Sequence, residues 1–144
     1  MKTLEDFFDD TKQDLKIEES ELDRESLRTP YLYDKYLKMY QKTKLHLREV
    51  ERKYAELKLE KHRYYSGNAD PEVYKKTPFG IKVVKQDLDM YLKADPELAK
   101  AVDMVEYVST IKDFLEKTLK NVENRNWNIK NAIEWRKFLS GVSW

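Results

Sequence analysis

One short run of the chain gathers the residue types that hold a polyanion. Lys58, Lys61, His62 and Arg63 lie within two helical turns of Tyr64 and Tyr65, with Arg52 and Lys53 upstream and Lys75 and Lys76 shortly beyond. Ammonium and guanidinium groups attract phosphates whatever the base sequence, and neighbouring aromatic rings can stack on unpaired bases. The chemistry this permits is non-covalent: binding of single-stranded nucleic acid, with Lys58, Lys61, His62, Arg63, Tyr65, Lys53 and Arg52 as candidate contacts. The same charges also suit a solvated structural face, and cations at the end of a helix can simply neutralise its carbonyls.

Covalent chemistry finds no comparable constellation. The three glycines are scattered singly, so no phosphate-cradling loop is formed. His46 and His62 are sixteen residues apart, about 24 Å along one helix, which is too far for a shared metal or catalytic site. With no cysteine, disulfides and thiolate metal sites are excluded. Acids such as Glu56 and Glu116 have lysines three or four residues away and read as helix-surface pairs. The expectation is a protein that is not an enzyme and needs no cofactor.

The cations sit on what the sequence predicts to be one helix over residues 29–67. Thr29-Pro30 has the form of an N-cap followed by proline at the first helical position, and Ser66-Gly67 that of a helix end. Between them, steps of three and four join Tyr33, Tyr36, Tyr40, Thr43, Leu47, Val50, Tyr54, Leu57, Lys61 and Tyr64, a heptad seam for packing. Such a helix is about 54 Å long, more than a chain of this size should bury within itself, so it should pack on other subunits or offer a surface. Residues 29–65 carry ten Lys/Arg against five acids, whereas residues 1–28 carry five against ten. A polyanion would bind the basic helix, or the acidic N-terminal segment of the same or a neighbouring chain would cover it.

The rest of the chain frames this helix. High charge (38%) with few glycines and prolines reads as all-α: one long central helix packed with several shorter ones in a single domain. Three stretches are expected: an acidic helical segment 1–28, the long basic helix 29–67, and a C-terminal helical region 68–144. Thr3 and Asp6 have capping spacing for a first helix, and a second short helix near 19–27 should end before Pro30. Residues 68–82 read as a loop. Helices follow from about Ile81 to Lys93 and from Asp95-Pro96 to about Arg125. Asn124-Arg125-Asn126 should interrupt or kink the chain before a last helix from Trp127 to Leu139. Trp127, Ile129, Ile133, Trp135 and Phe138 offer more apolar surface than a small chain needs internally, and mark a self-association face. The acidic N-terminus is unlike a signal peptide and no apolar run reaches the roughly 20 residues of a membrane span, so a soluble intracellular protein is expected.

Leu4-Glu5-Asp6, the basic helix closing on Tyr64-Tyr65-Ser66-Gly67, and Ile129-Lys130-Asn131-Ala132-Ile133 near the C-terminus occur in an order that resembles the UvsY family of recombination mediators from large tailed bacteriophages. The resemblance implies a non-enzymatic, ring-like homo-hexamer or homo-heptamer that binds single-stranded DNA without sequence preference. It further implies that the protein loads a phage RecA-like recombinase onto strand coated by the phage single-strand DNA-binding protein, in recombination, repair and replication, in the cytoplasm of the infected host. In that family a Leu-Lys-x-Arg segment before Tyr-Tyr-Ser-Gly is associated with DNA binding. Here Leu57-Lys58 matches its first half, Lys61 takes the second basic position when Tyr-Tyr-Ser-Gly sets the register, and Arg63 is an added cation. The family's C-terminal segment serves assembly, in keeping with the apolar excess on the last helix. The alternative is a structural helical adaptor without DNA binding, whose basic helix meets a neighbour's acidic segment.

Overall fold

The computed structural model describes residues 2–141. Met1 and residues 142–144, the end of the expected C-terminal region, lie outside the described residues. Among the described residues there are five α-helices: α1 (Leu4–Asp14), α2 (Leu22–Tyr65), α3 (Pro71–Lys76), α4 (Leu88–Ala94, preceded by a 3₁₀ turn at Lys85–Asp87) and α5 (Pro96–Leu139). Strands are absent among the described residues, so the all-α expectation holds.

Local chemistry sets several of the ends. The Asp6 N–H donates to the Thr3 hydroxyl (3.2 Å) and the Thr3 N–H to the Asp6 carboxylate (2.9 Å), closing a reciprocal capping box on α1. Asp95 caps α5, accepting from the N–H groups of Glu97 (2.9 Å) and Leu98 (3.0 Å), with Pro96 in the first turn. At the end of α2, Gly67 takes a left-handed φ of 81°, Asn68 N–H bonds Arg63 O (2.9 Å) and Gly67 N–H bonds Tyr64 O (3.3 Å). That paired arrangement satisfies two otherwise orphaned carbonyls.

Four expected boundaries move. The helix expected to begin at Thr29 starts at Leu22, so Pro30 lies inside it and the expected division after residue 28 falls within α2. Proline inside a helix forfeits one hydrogen bond and presses on the carbonyl four residues back, a cost of about 3 kcal/mol. Arg125 offsets it from across the fold. Its guanidinium donates to the Glu25 backbone carbonyl, to the Thr29 hydroxyl (3.0 Å) and to the Glu25 carboxylate (3.0 Å). The same contact carries α5 unbroken through Asn124 and Asn126 to Leu139, where an interruption was expected. Asparagine costs a helix only tenths of a kcal/mol, too little to break one held by a buried ion pair. The helix expected from Ile81 begins only with the turn at Lys85, and residues 71–76 of the expected loop form α3.

The chain divides into two compact units: residues 1–43 with 111–144, and residues 44–110. In the first, Phe7, Leu32, Tyr36, Ile111, Leu115, Leu119 and Val122 form the core. Asp14 ties α1 to α2 there, accepting from Lys35 (2.6 Å), the Tyr36 hydroxyl (2.7 Å) and Arg28 (3.3 Å). In the second, Leu47 and Val50 of α2 pack on Val105 and Val108 of α5. All ten seam positions of α2 are buried or half-buried. The seam is thus covered from within the chain at several points: Tyr36 shares a core with Ile111 and Leu115 of α5, Leu47 and Val50 meet Val105 and Val108, and Tyr64 is taken up by Tyr74 and Phe79.

Candidate nucleic-acid interface

The site is built at the end of α2, inside the unit formed by residues 44–110. Tyr64 and Tyr65 leave the helix together and gather a ring of aromatics. Tyr64 stacks on Tyr74 (5.4 Å between centroids) and meets Phe79 (5.3 Å), while Tyr65 contacts Phe79 (5.3 Å) and Tyr91 (5.8 Å). Hydroxyls fasten the cluster. Tyr64 donates to Thr77 O (3.0 Å) and Tyr74 donates to Tyr64 O (2.7 Å), so α3 and the segment after it are pinned to the last turn of α2. These rings are half-buried and pack on one another.

Asp95 is the polar counterpart of that cluster. Only 3% exposed, its carboxylate caps α5, accepts the Tyr65 hydroxyl (2.6 Å) and pairs with Lys61 (3.3 Å). Burial pushes its pKa up, but the Tyr65 hydroxyl, the Leu98 N–H and the Lys61 ammonium outweigh burial and hold it below the ordinary 3.8. Burial and the Asp95 carboxylate push the Tyr65 phenol up. Lys61 also reaches Glu97 (3.6 Å).

The candidate contacts therefore fall into two groups. Lys61 and Tyr65 face inward and are held by Asp95. Arg52, Lys53, Lys58, His62 and Arg63 are exposed. Lys53 pairs with Glu49 (3.3 Å) and Lys58 lies over the Tyr54 ring (5.9 Å). The side chains of Arg52, His62 and Arg63 have no ion-pair or hydrogen-bond partner among the described residues. Two cations left out of the expected set join them: Lys44 and Arg48, both exposed and equally unpaired among the described residues. Lys44, Arg48 and Arg52 follow at four-residue steps, and Arg63 continues the row three turns on, all within an arc of about 100° outside the seam, with Lys44 at the edge nearest it. Drawing the helix as a projection would have found Lys44 and Arg48, since charge and period alone place them. The row runs roughly 28 Å from Lys44 to Arg63 at the α-helical rise.

The expected self-association residues also separate. Trp127, Trp135 and Phe138 are 61%, 60% and 69% exposed, and the Trp135 and Phe138 rings stack at 5.6 Å. Ile129 is 2% exposed and Ile133 half-buried. The three exposed aromatics lie within about 80° of one another on α5, and at least about 120° round from Ile129. Ile129 belongs to the interior of its own unit, because the inward face of α5 reaches that far along the helix. Leu139, 65% exposed, adds to the apolar end of the helix. Among the described residues no three His, Cys, Asp or Glu side chains converge on a possible metal position, and no helix is long and apolar enough to cross a membrane.

Residues 10–142 match the family model of the recombination, repair and single-stranded-DNA-binding protein UvsY. The recombination protein uvsY of Enterobacteria phage T4 is 25% identical over 138 residues, covering 96% of this chain and 98% of that protein. Crystal structures of the bacteriophage T4 recombination mediator protein UvsY share the fold. One superposes with a TM-score of 0.85 at 24% identity, covering 97% of this chain and 99% of that one. Another, from a different lattice, gives 0.81 at 24% identity, covering 96% and 98%.

Proposed function

The chain belongs to the UvsY family of recombination, repair and single-stranded-DNA-binding proteins, and from that premise we propose that it is a recombination mediator whose α2 grips the phosphate backbone of single-stranded DNA. The observation that carries the reading is the row Lys44, Arg48, Arg52 and Arg63, with His62 beside it: exposed cations with no acidic partner among the described residues. Cations already paired release little on meeting a phosphate, whereas unpaired ones displace the strand's condensed counterions in full. Lys53, loosely held by Glu49, adds charge at the edge of the row, while Lys58, over the Tyr54 ring, adds it on the flank nearer α5. No base edge need be read, so binding is independent of sequence.

Copies of the chain associate through the aromatic face of Trp127, Trp135 and Phe138, forming a ring-like homo-hexamer or homo-heptamer. Several basic rows then act on one strand, and weak phosphate contacts add through effective concentration. The array holds strand released from the phage single-strand DNA-binding protein and presents it to a RecA-like recombinase, in the cytoplasm of the infected host, without enzymatic activity of its own. Within its own unit, Asp14 of the acidic N-terminal segment takes Lys35 and Arg28, and Glu25 takes Arg125. That supports DNA, rather than a neighbour's N-terminus, as the ligand of residues 44–63. The test is recombinase assembly on strand coated with single-strand DNA-binding protein. Adding this protein should shorten the lag before assembly, on homopolymeric and mixed sequences alike. A lag that does not change at any protein concentration would refute the mediator assignment.

A further inference from the structure

The twelve residues from Lys75 to Gln86 carry four lysines and no acid. Lys75, Lys76, Lys82 and Lys85 are all exposed, and none of their side chains has an ion pair or hydrogen bond among the described residues. On α2, by contrast, Lys35, Lys38, Lys53 and Lys61 are each taken up by a carboxylate. Nor is the segment a loose tail. Tyr64 donates to Thr77 O, Tyr74 stacks on Tyr64, and Phe79 is wedged among Tyr64, Tyr65 and Tyr91. The lysines are thus mounted on the same aromatic cluster that ends α2, in the same unit as Arg63.

We propose that Lys75, Lys76, Lys82 and Lys85 form a second phosphate-binding strip for single-stranded DNA, and that Tyr64 and Tyr65 serve as the mount that fixes it at the end of the α2 row. The inference rests on the DNA-binding reading above and extends it to a segment outside α2. Phosphates along a strand are a line of single charges, and lysine, a point charge on a flexible stem, meets them without demanding a fixed geometry. Fixing the backbone of the strip in advance removes part of the ordering cost that a disordered basic loop incurs on binding. The tyrosine rings, occupied with one another and with Phe79, anchor the strip and leave base stacking aside.

The test uses the full chain and two double variants, Lys75→Ala/Lys76→Ala and Lys82→Ala/Lys85→Ala. Affinity for an oligo-dT and for a mixed-sequence oligonucleotide is measured against salt, with oligomer mass checked by light scattering. Each double variant should keep the wild-type mass and lower the log–log salt slope by about 1.4, at ~0.7 for each single-strand phosphate no longer neutralised, equally on both oligonucleotides. Wild-type slopes in both variants, with the wild type binding DNA, overturn the strip and leave the α2 row standing; the strip's charge then suits an acidic protein surface. A wild type that ignores both oligonucleotides overturns the DNA-binding reading and the strip together.

Discussion

Asp95 is where one side chain settles the roles of several others. It is buried, it caps α5, and it holds Lys61 and the Tyr65 hydroxyl. Lys61→Ala should therefore act on stability first, since it strips a buried carboxylate of its cation, whereas Arg63→Ala should lower the DNA salt slope by ~0.7 with no loss of stability. Thermal unfolding and salt-dependent binding of the two variants separate these outcomes. Asp95→Ala should destabilise by about 2 kcal/mol, from removal of the cap and of the Tyr65 hydrogen bond. The folded-state pKa of Asp95 lies below 3.8, so the unfolded chain binds the proton more readily. Its contribution is complete above 3.8 and is lost as pH falls through the lowered folded value. The stability gap between wild type and Asp95→Ala, followed by denaturant unfolding, should accordingly narrow below about pH 4, leaving only the part owed to the hydrogen bonds of the neutral acid. The heptad register alone places Lys61 on the inward seam of α2. Its charge suggests DNA, its register suggests the interior, and register prevails because the seam is where α5 packs.

Among the elements, the ends fixed by neighbouring residues are readable in the sequence. Thr3 with Asp6, Asp95-Pro96 and Ser66-Gly67 each need only a few adjacent side chains to satisfy exposed backbone groups. Pro30 and Asn124-Arg125-Asn126 mislead for the opposite reason. Each reads locally as a break, and what overrides both is one contact between residues about a hundred positions apart, Arg125 with Glu25. Burial lowers the pKa of Arg125, and the Glu25 carboxylate works against that. Removing the guanidinium leaves the buried Glu25 with only the longer Arg28 contact (3.5 Å) and the Glu18 N–H (2.9 Å), beside a proline that already weakens the helix. Arg125→Met should cost about 3–5 kcal/mol, the usual range for breaking a buried pair. It should also raise hydrogen exchange of amides 22–29 above that of the rest of α2. A variant with wild-type stability and unchanged exchange there would remove Arg125 from this role.

At the scale of the whole molecule, the long helices raise the question of what their outward faces are for. The seam of α2 is covered in part by its own chain, whereas Trp127, Trp135 and Phe138 are large aromatics left in solvent, which is why the proposed self-association is assigned to them. Exposed aromatic clusters of this kind mark interfaces more often than bare surface. Trp135→Ser combined with Phe138→Ser should reduce the mass seen by light scattering toward that of a single chain, with helix content unchanged. Single-strand affinity should fall by at least about tenfold, because linked sites no longer share one strand. Ile129→Ser, in contrast, should unfold the C-terminal end of α5. That Ile129 faces inward is hidden in the sequence because apolar residues occupy several faces of α5 there. Only packing within its own unit separates core from surface.

The central claim is that unpaired cations on α2 meet phosphates, and the salt dependence of single-strand binding tests it most directly. The comparison is wild type against Arg48→Ala/Arg52→Ala/Arg63→Ala, with oligomer mass held equal. The log–log slope should fall by about 2 in the triple variant, at ~0.7 for each cation removed, on any base sequence. A triple variant that binds with the wild-type slope would contradict the account.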